Sequence, residues 1–101
     1  MPISVVLQDI HGKKIKEFAP TGGLLDRLLP IEDRRFPMLR YVDPYGNTIF
    51  NGGQMYPVLE ELDRVGAEVS GKDEKEILAR LRELAIYCRD HPHIYLRFIG
   101  D

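Results

Sequence analysis

The stretch from Met38 to Gln54, MLRYVDPYGNTIFNGGQ, constrains the fold of this chain most, because two strand-like segments flank a turn within it. Its centre, Asp43-Pro44-Tyr45-Gly46-Asn47, places proline where a β-turn needs a φ near about −65°. Gly46 and Asn47 follow, and both residue types adopt the left-handed conformation at little cost. The flanking residues are of the types favoured in strands: Leu39, Tyr41, Val42, Thr48, Ile49 and Phe50. The stretch therefore predicts a β-hairpin.

A second hairpin is predicted at the start of the chain. Residues 3–10, ISVVLQDI, are mostly apolar and rich in β-branched side chains, and residues 13–18, KKIKEF, are more polar. His11-Gly12 between them fits a two-residue loop. The lysines of the second segment suit an edge strand, because their charge discourages pairing with another chain.

Three segments have the apolar spacing of amphipathic helices: 24–29, 54–66 and 73–89. We expect Thr21 to cap the first, Gly66 to end the second, and Ser70 or Asp73 to cap the third. In the second helix the polar face is predicted to hold Glu60, Glu61, Asp63 and Arg64. The proline-bounded residues 30–37 are predicted to be a loop.

The last strand signal is IYLRFI at 94–99, which is apolar at five of six positions and so indicates a strand in the interior of the sheet. The predicted order is β-β-α-β-β-α-α-β. It gives an α+β fold, in which a mainly antiparallel sheet of about five strands has helices packed on one face. We expect a single domain over residues 1–101.

Composition limits the function classes. The 101 residues carry a net charge of −2, and 44% of them are hydrophobic, so a folded core is expected and binding to nucleic acid is not. The single cysteine, Cys88, favours a reducing compartment. No segment has the length of a membrane span, and we expect a cytoplasmic protein without membrane contact.

One cluster has the chemistry of a metal site. Cys88, His91 and His93 lie within six residues, and cysteine with two histidines can bind zinc. The cysteine lies in the apolar stripe of a predicted helix, however, whereas the histidines flank Pro92, which redirects the chain. A structural role is the better interpretation, and neither a metal nor another cofactor is expected.

Signals for catalysis and nucleotide binding are weak. Asp9, His11 and Asp43 supply acid-base side chains, but turn residues explain them equally well and no serine has a nucleophile-elbow context. The pairs Gly22-Gly23 and Gly52-Gly53 precede helices without forming a phosphate-binding motif. We therefore predict no catalytic residues and favour a function other than that of an enzyme.

Two groups of side chains could bind another molecule. Arg34, Arg35 and Arg40 could form a cationic patch, although Glu32 and Asp33 would partly neutralise it. Tyrosine is enriched at interfaces because it joins an apolar ring to a polar tip. The tyrosines least easily assigned to the core are Tyr45 and Tyr56.

The segments YVDPYGNTIFNGGQM, at 41–55, and HPHIYLRFIGD, at 91–101, are similar to motifs of small, uncharacterised bacterial proteins that end in an H-x-Y-L-x-F-I-G-D strand. This resemblance covers about a quarter of the chain. It implies a self-contained bacterial domain and brings no catalytic residue with it.

Together these observations predict a non-catalytic protein-interaction domain, such as a bacterial adaptor or an immunity-like protein. A protein partner or self-association as a homodimer is expected if the sheet face without helices is apolar, and Val6, Met38, Val42, Tyr95 and Ile99 are the candidates for that face. The alternative is a small-molecule-binding or enzymatic domain with a pocket near 43–54 and 91–93. The residues predicted to line the interface or pocket are Tyr45, Gln54, Tyr56, His91 and His93.

Overall fold

The sheet of the computed structural model, which describes residues 2–100, is antiparallel and has four strands in the order β2-β1-β4-β3. The strands are β1 Ser4–Asp9, β2 Lys14–Phe18, β3 Asn47–Phe50 and β4 Ile94–Ile99. The first hairpin is confirmed, with the lysine-rich β2 at the edge. Its predicted two-residue loop is wrong, because Asp9 N–H donates to Lys13 O and Gly12 N–H donates to Asp9 O, which leaves Ile10, His11 and Gly12 in the loop. The interior position of β4, beside β1, is confirmed as well. The expectation of one domain over 1–101 includes Met1 and Asp101, which lie outside the described residues.

The three predicted helices are present as α1 Leu24–Leu28, α2 Met55–Glu68 and α3 Lys72–Asp90. Their expected ends are wrong in detail. Gly23 and Gly71 occupy the N-cap positions of α1 and α3 without a side-chain hydrogen bond, so neither Thr21 nor Ser70 nor Asp73 is the capping residue. Gly66 lies inside α2, because the tertiary contacts of the neighbouring turns outweigh its weak helix propensity.

The predicted fifth strand does not form, and the α+β class therefore holds with four strands. Residues Leu39–Tyr41 are a short 3₁₀ helix, and Leu39 and Val42 are buried in the core. Their backbone groups find partners outside a sheet: the Glu61 carboxylate accepts the N–H groups of Met38 and Leu39 at 2.9–3.2 Å. The apolar side chains are buried and the backbone N–H groups are hydrogen-bonded without pairing to another strand. The segment therefore does not adopt the strand that its residue types favour.

The turn before β3 is built on Asp43. Its carboxylate accepts the Tyr45 N–H at 2.8 Å, and its own N–H donates to Thr48 Oγ1 at 2.9 Å. Among residues 2–100, Gly46 and Asn47 are not among those with positive φ, so the expected left-handed turn is wrong. The end of β4 packs here: Gly100 N–H donates to Gly46 O at 2.7 Å, and a Cβ on Gly100 would overlap the backbone of Asp43 and Pro44.

The helices cover one face of the sheet. The side chains that point into the core alternate along the strands: Val5, Leu7, Phe50, Leu96 and Phe98. Phe50 and Phe98 meet edge to face with ring centroids 5.9 Å apart. The apolar stripes of α2 and α3 complete this core, and Leu25 and Leu28 of α1 close it. Within residues 2–100, no helix lies on the opposite face.

Candidate functional site

The sheet surface that faces away from the helices is the most distinctive surface of this chain. We call it the open face, and it consists of Ser4, Val6, Gln8, Lys14, Glu17, Asn47, Ile49, Tyr95, Arg97 and Ile99. These residues alternate with the core residues along each strand, as side chains of a pleated sheet must. Of the five residues predicted for this face, it includes Val6, Tyr95 and Ile99. Met38 and Val42 pack in the core on the other side of the sheet.

One row of side chains crosses the centre of the open face. The strand register places Glu17, Val6, Arg97 and Ile49 side by side on β2, β1, β4 and β3. Val6 is only 4% exposed although no helix of the described chain covers it, whereas Ile49 on the edge strand is 52% exposed. The neighbouring side chains therefore shield the middle of the row and leave its β3 end open.

Arg97 is the unusual member of this row. Its Nη1 donates to Gln8 Oε1 at 3.1 Å, and its buried Nε has no hydrogen-bond partner in the described part of the chain. No ion pair joins it to any carboxylate within residues 2–100. A buried donor without an acceptor costs about 1–3 kcal/mol, and more when the group is charged. The guanidinium is therefore incompletely hydrogen-bonded within the described part of the chain.

Apolar groups flank the guanidinium. Tyr95 and Ile99 lie before and after Arg97 on the same face of β4, and both are half-buried. With Ile49 they form an apolar border around the Arg97 guanidinium. The central parts of protein interfaces are similarly enriched in aromatic residues and arginine and contain few other charged residues. The charged groups of this row are the Arg97 guanidinium and the Glu17 carboxylate.

The five residues predicted for the interface or pocket do not form one site. Tyr45 lies beyond the Ile99 end of β4, whereas His91 and His93 precede the strand at the other end, about 20 Å away at the usual rise of a strand. Gln54 and Tyr56 lie at the start of α2, near the end of α3 that carries the histidines.

The polar groups near the two histidines have structural partners. Gln54 and Asn51 exchange hydrogen bonds, each side-chain oxygen accepting the other residue's N–H at 2.9 Å. His91 stacks on Tyr87 with ring centroids 3.8 Å apart, and its Nδ1 lies 2.9 Å from Tyr87 O. His93 is exposed and holds a positive φ of 62° in the turn into β4. In this region the polar side chains hold the turn through which the chain passes from α3 to β4. The sequence did not distinguish this structural role from the lining of a pocket.

The predicted metal-type cluster is dispersed. Cys88 is buried, and its thiol donates to Ile94 O at 3.4 Å. Desolvation by burial raises the pKa of the Cys88 thiol to about 11, which opposes the thiolate form that binds metals. Within residues 2–100, no three His, Cys, Asp or Glu side chains are grouped so that they could hold a metal ion.

The acid-base residues stabilise turns. Asp9 Oδ1 accepts the N–H groups of His11 and Lys13 at 2.9 Å, and the Lys13 bond is the main reason that the pKa of Asp9 lies below its usual value. Asp43 holds the turn before β3 in the same way. Neither carboxylate is paired with a nucleophile in the part of the chain that the structure describes.

The arginines of the predicted cationic patch are partly neutralised, as expected. Arg35 forms ion pairs with Asp33 at 2.8 Å and with Glu68 at 3.5 Å. Arg40 lies over the ring of Tyr41, with 4.6 Å between the guanidinium carbon and the ring centroid. These contacts tie Arg35 and Arg40 to neighbouring groups, and the ion pairs neutralise Arg35 alone of the three arginines within residues 2–100.

Five shallow clefts of about 220–400 Å³ occur on the protein, and each includes residues of a helix. None of these five contains Tyr45, Gln54, Tyr56, His91 or His93. These five clefts therefore lie away from the residues predicted to line an interface or pocket.

Two residues that matter were not singled out by the sequence. The helical pattern predicts Glu61 on the polar face of α2, yet it is buried at 2% exposure and accepts backbone N–H groups at the start of the 3₁₀ helix. Arg97 is the one charged residue within the otherwise apolar segment IYLRFI, and this charge was the sequence signal that could have identified it.

In residues 2–100, no helix is both long enough and apolar enough to cross a bilayer. No protein-family model matches the sequence, and comparisons with curated proteins and with solved structures likewise give no match.

Proposed function

We propose that this chain is a non-catalytic protein-interaction domain that binds its partner through the open face. The observation that carries the proposal is the buried Nε of Arg97, which has no acceptor among residues 2–100. Because the protein encloses that atom, the Arg97 side chain would turn outward to donate to a backbone carbonyl or carboxylate of the partner, and Tyr95, Ile99 and Ile49 would provide the apolar contact around it. A role as an adaptor or an immunity-like protein fits, because both act by occupying a surface of another protein.

The shape of the open face supports a protein rather than a small ligand. A sheet face of this kind is broad and shallow, whereas sites for small molecules are clefts that enclose most of the ligand. The alternative, a small-molecule-binding or enzymatic domain with a pocket near 43–54 and 91–93, gains no support from the five clefts described above.

A photo-crosslinking experiment tests the proposal. A photoreactive phenylalanine analogue replaces Ile49 on the open face in one variant and Tyr56 on α2 in a matched control, since both positions are exposed, at 52% and 66%. After irradiation in cells of the source organism, position 49 should give an adduct of discrete mass and position 56 should not. Mass spectrometry then identifies the crosslinked protein.

Two results would contradict the proposal. Either position 49 gives no protein adduct, or both positions give the same adducts in equal amounts. In each case the open face would not be a selective binding surface. An adduct at 49 that disappears in the Arg97→Glu background would show that the guanidinium takes part in the contact.

A further inference from the structure

The central row of the open face is complementary to itself. Its order across the sheet is Glu17, Val6, Arg97, Ile49, so a carboxylate lies at one end and a guanidinium lies two strands away. Strands are about 4.8 Å apart, which places the two charged residues about 10 Å apart within one chain. Val6 lies between them.

We propose that the partner bound by the open face is a second copy of this chain, and that Glu17 of the partner subunit pairs with Arg97. This inference rests on the proposed interaction through the open face and names its occupant. The two sheets would stack face to face, related by a two-fold axis that runs parallel to the strands between β1 and β4. Two identical pairs would form, as in every two-fold interface.

The axis follows from the positions of the residues. Rotation about it lays Val6 of the partner subunit over Arg97 and places Glu17 of the partner subunit over Ile49, one strand spacing or about 4.8 Å to the side of Arg97. An arginine side chain spans that distance. The same rotation lays Arg97 of the partner subunit over Val6, also one strand spacing from Arg97, so the two Glu17–Arg97 contacts stand against one contact between arginines. A two-fold axis perpendicular to the strands would instead place the two guanidinium groups directly opposite each other, with Glu17 of the partner subunit two strands away, which is repulsive.

Both charged groups are available for this contact. Arg97 has no carboxylate partner within residues 2–100. Glu17 is paired with Lys14 of its own strand at 3.0 Å, but the two side chains are 47% and 56% exposed. Exposed pairs of this kind contribute little and exchange readily with water. In a stacked dimer Glu17 could contact the desolvated guanidinium, where a charge-assisted hydrogen bond is stronger.

The size of the open face predicts a weak dimer. The four strands have 6, 5, 4 and 6 residues, so a rise of about 3.3 Å per residue and a spacing of about 4.8 Å give a face of roughly 330 Å² in projection. Stable complexes bury about 800 Å² per partner, so this contact belongs to the small, transient class. The dimer should therefore form at high protein concentration and dissociate on dilution.

Sedimentation equilibrium of the purified chain measures this directly. The average mass should rise from 11.6 kDa towards twice that value with concentration. The single charge reversals Glu17→Arg and Arg97→Glu should each weaken dimerisation by about tenfold or more, because each places like charges opposite one another twice. Glu60→Arg, an exposed reversal on α2, is the control and should leave dimerisation unchanged.

Mixing the two single variants gives the sharpest test. Alone, each variant has two repulsive contacts in its homodimer. In the mixed dimer, one contact is the original pair, between Arg97 of the Glu17→Arg chain and Glu17 of the Arg97→Glu chain. The other contact joins the two substituted side chains, which carry opposite charges with their positions exchanged. Association should therefore return to near the wild-type strength in the mixture, which no effect on the folding of a single chain can produce.

Three results would overturn the inference: a constant mass of 11.6 kDa up to about 1 mM protein, a dimer unaffected by both reversals, or a mixture that associates no better than its components. Each remains distinct from failure of the proposed function. If the chain is monomeric while position 49 crosslinks to a different protein, the interaction domain stands and the second copy is not its partner. If no adduct forms at all, both proposals fail.

Discussion

The two faces of the sheet are built from the same four strands. They differ in how fully their apolar side chains are covered by other elements and in how fully their polar groups are hydrogen-bonded. On the covered face, Val5, Leu7, Leu96 and Phe98 are fully buried in the core that the helices complete. On the open face, Val6 is shielded by its neighbours alone, and the Nε of Arg97 lacks an acceptor among residues 2–100. One face is a finished core, and the other mixes apolar side chains with charged and amide side chains.

The difference shows what a strand pattern can encode. β4 is apolar at five of six positions, more than one covered face requires, since alternation alone would give three. The surplus consists of Tyr95 and Ile99, which lie on the open face beside Arg97. Under the proposed function, this apolar surplus of β4 forms part of the surface that contacts the partner.

The largest expected contrast between the faces is in stability. Phe98→Ala removes a fully buried ring on the covered face and should lower the free energy of unfolding by about 3–5 kcal/mol. Ile99→Ala, the adjacent residue on the open face, should cost less than about 1.5 kcal/mol, because its side chain is half-buried and solvent can fill the space. Urea denaturation at low protein concentration measures both. Equal losses would mean that the open face is packed as a core.

The reactivity of thiols gives the next contrast. The buried Cys88 thiol, with a pKa of about 11, should be about a thousandth ionised at pH 8, whereas an exposed thiol of pKa near 8.5 is about a quarter ionised. In an Ile49→Cys variant the open-face thiol should therefore react with a disulfide reagent more than about a hundredfold faster than Cys88. Stopped-flow measurement resolves the two phases within one molecule.

The pH dependence of the slow phase has a defined sign. Because the folded-state pKa of Cys88 is raised, its reaction should accelerate about tenfold per pH unit from pH 8 towards pH 11. The folded state should lose stability over the same alkaline range, since the unfolded chain ionises this thiol near pH 9 and the native state resists doing so. A slow phase independent of pH would show that opening of the structure, not ionisation, controls access.

The smallest expected contrast is between the stability losses on substituting Glu61, on the covered side of the sheet, and Arg97, on the open face. Glu61 accepts three hydrogen bonds from the backbone of Met38 and Leu39, so Glu61→Ala should cost about 2 kcal/mol by leaving these donors without a partner. Arg97→Met should cost less than about 1 kcal/mol in the monomer, because a group that is only partly satisfied loses little when it is replaced by an apolar one. Thermal unfolding monitored by circular dichroism compares them.

Controls for this comparison lie next to the substituted residues. Glu60→Ala, an exposed change one residue before Glu61, should alter stability by less than about 0.5 kcal/mol. If Arg97→Met were more destabilising than Glu61→Ala, the guanidinium would have a structural role in the monomer. The open face would then be complete without a partner.

The sequence predicted the elements whose signals are periodic over many residues. The spacing of α3, the alternation in the first hairpin and the apolar excess of β4 each depend on several side chains that agree. The α+β class and the interior position of β4 followed from them. These patterns arise from residues close together in the sequence, and in these segments the folded chain adopts the secondary structure that the patterns predict.

The segment from Pro37 to Val42 could not be predicted because its partner is remote. Leu39, Tyr41 and Val42 have strand propensity, but the Glu61 carboxylate, some 20 residues later, binds the N–H groups at the start of the 3₁₀ helix. The same contact explains why Glu61 is buried on a helix face that otherwise looks polar. Similarly, the open face depends on strand order, which brings β1 and β4 together from opposite ends of the sequence.

The position of β4 in the sheet has a consequence for folding during synthesis. β1 and β3 do not pair with each other; each pairs with β4, which follows them both in the sequence. A nascent chain that has left the ribosome only as far as α3 holds the first hairpin and β3 with no strand to join them. The sheet can close only after residues 94–99 emerge, so pairing that spans almost the whole chain should limit the rate at which this protein matures.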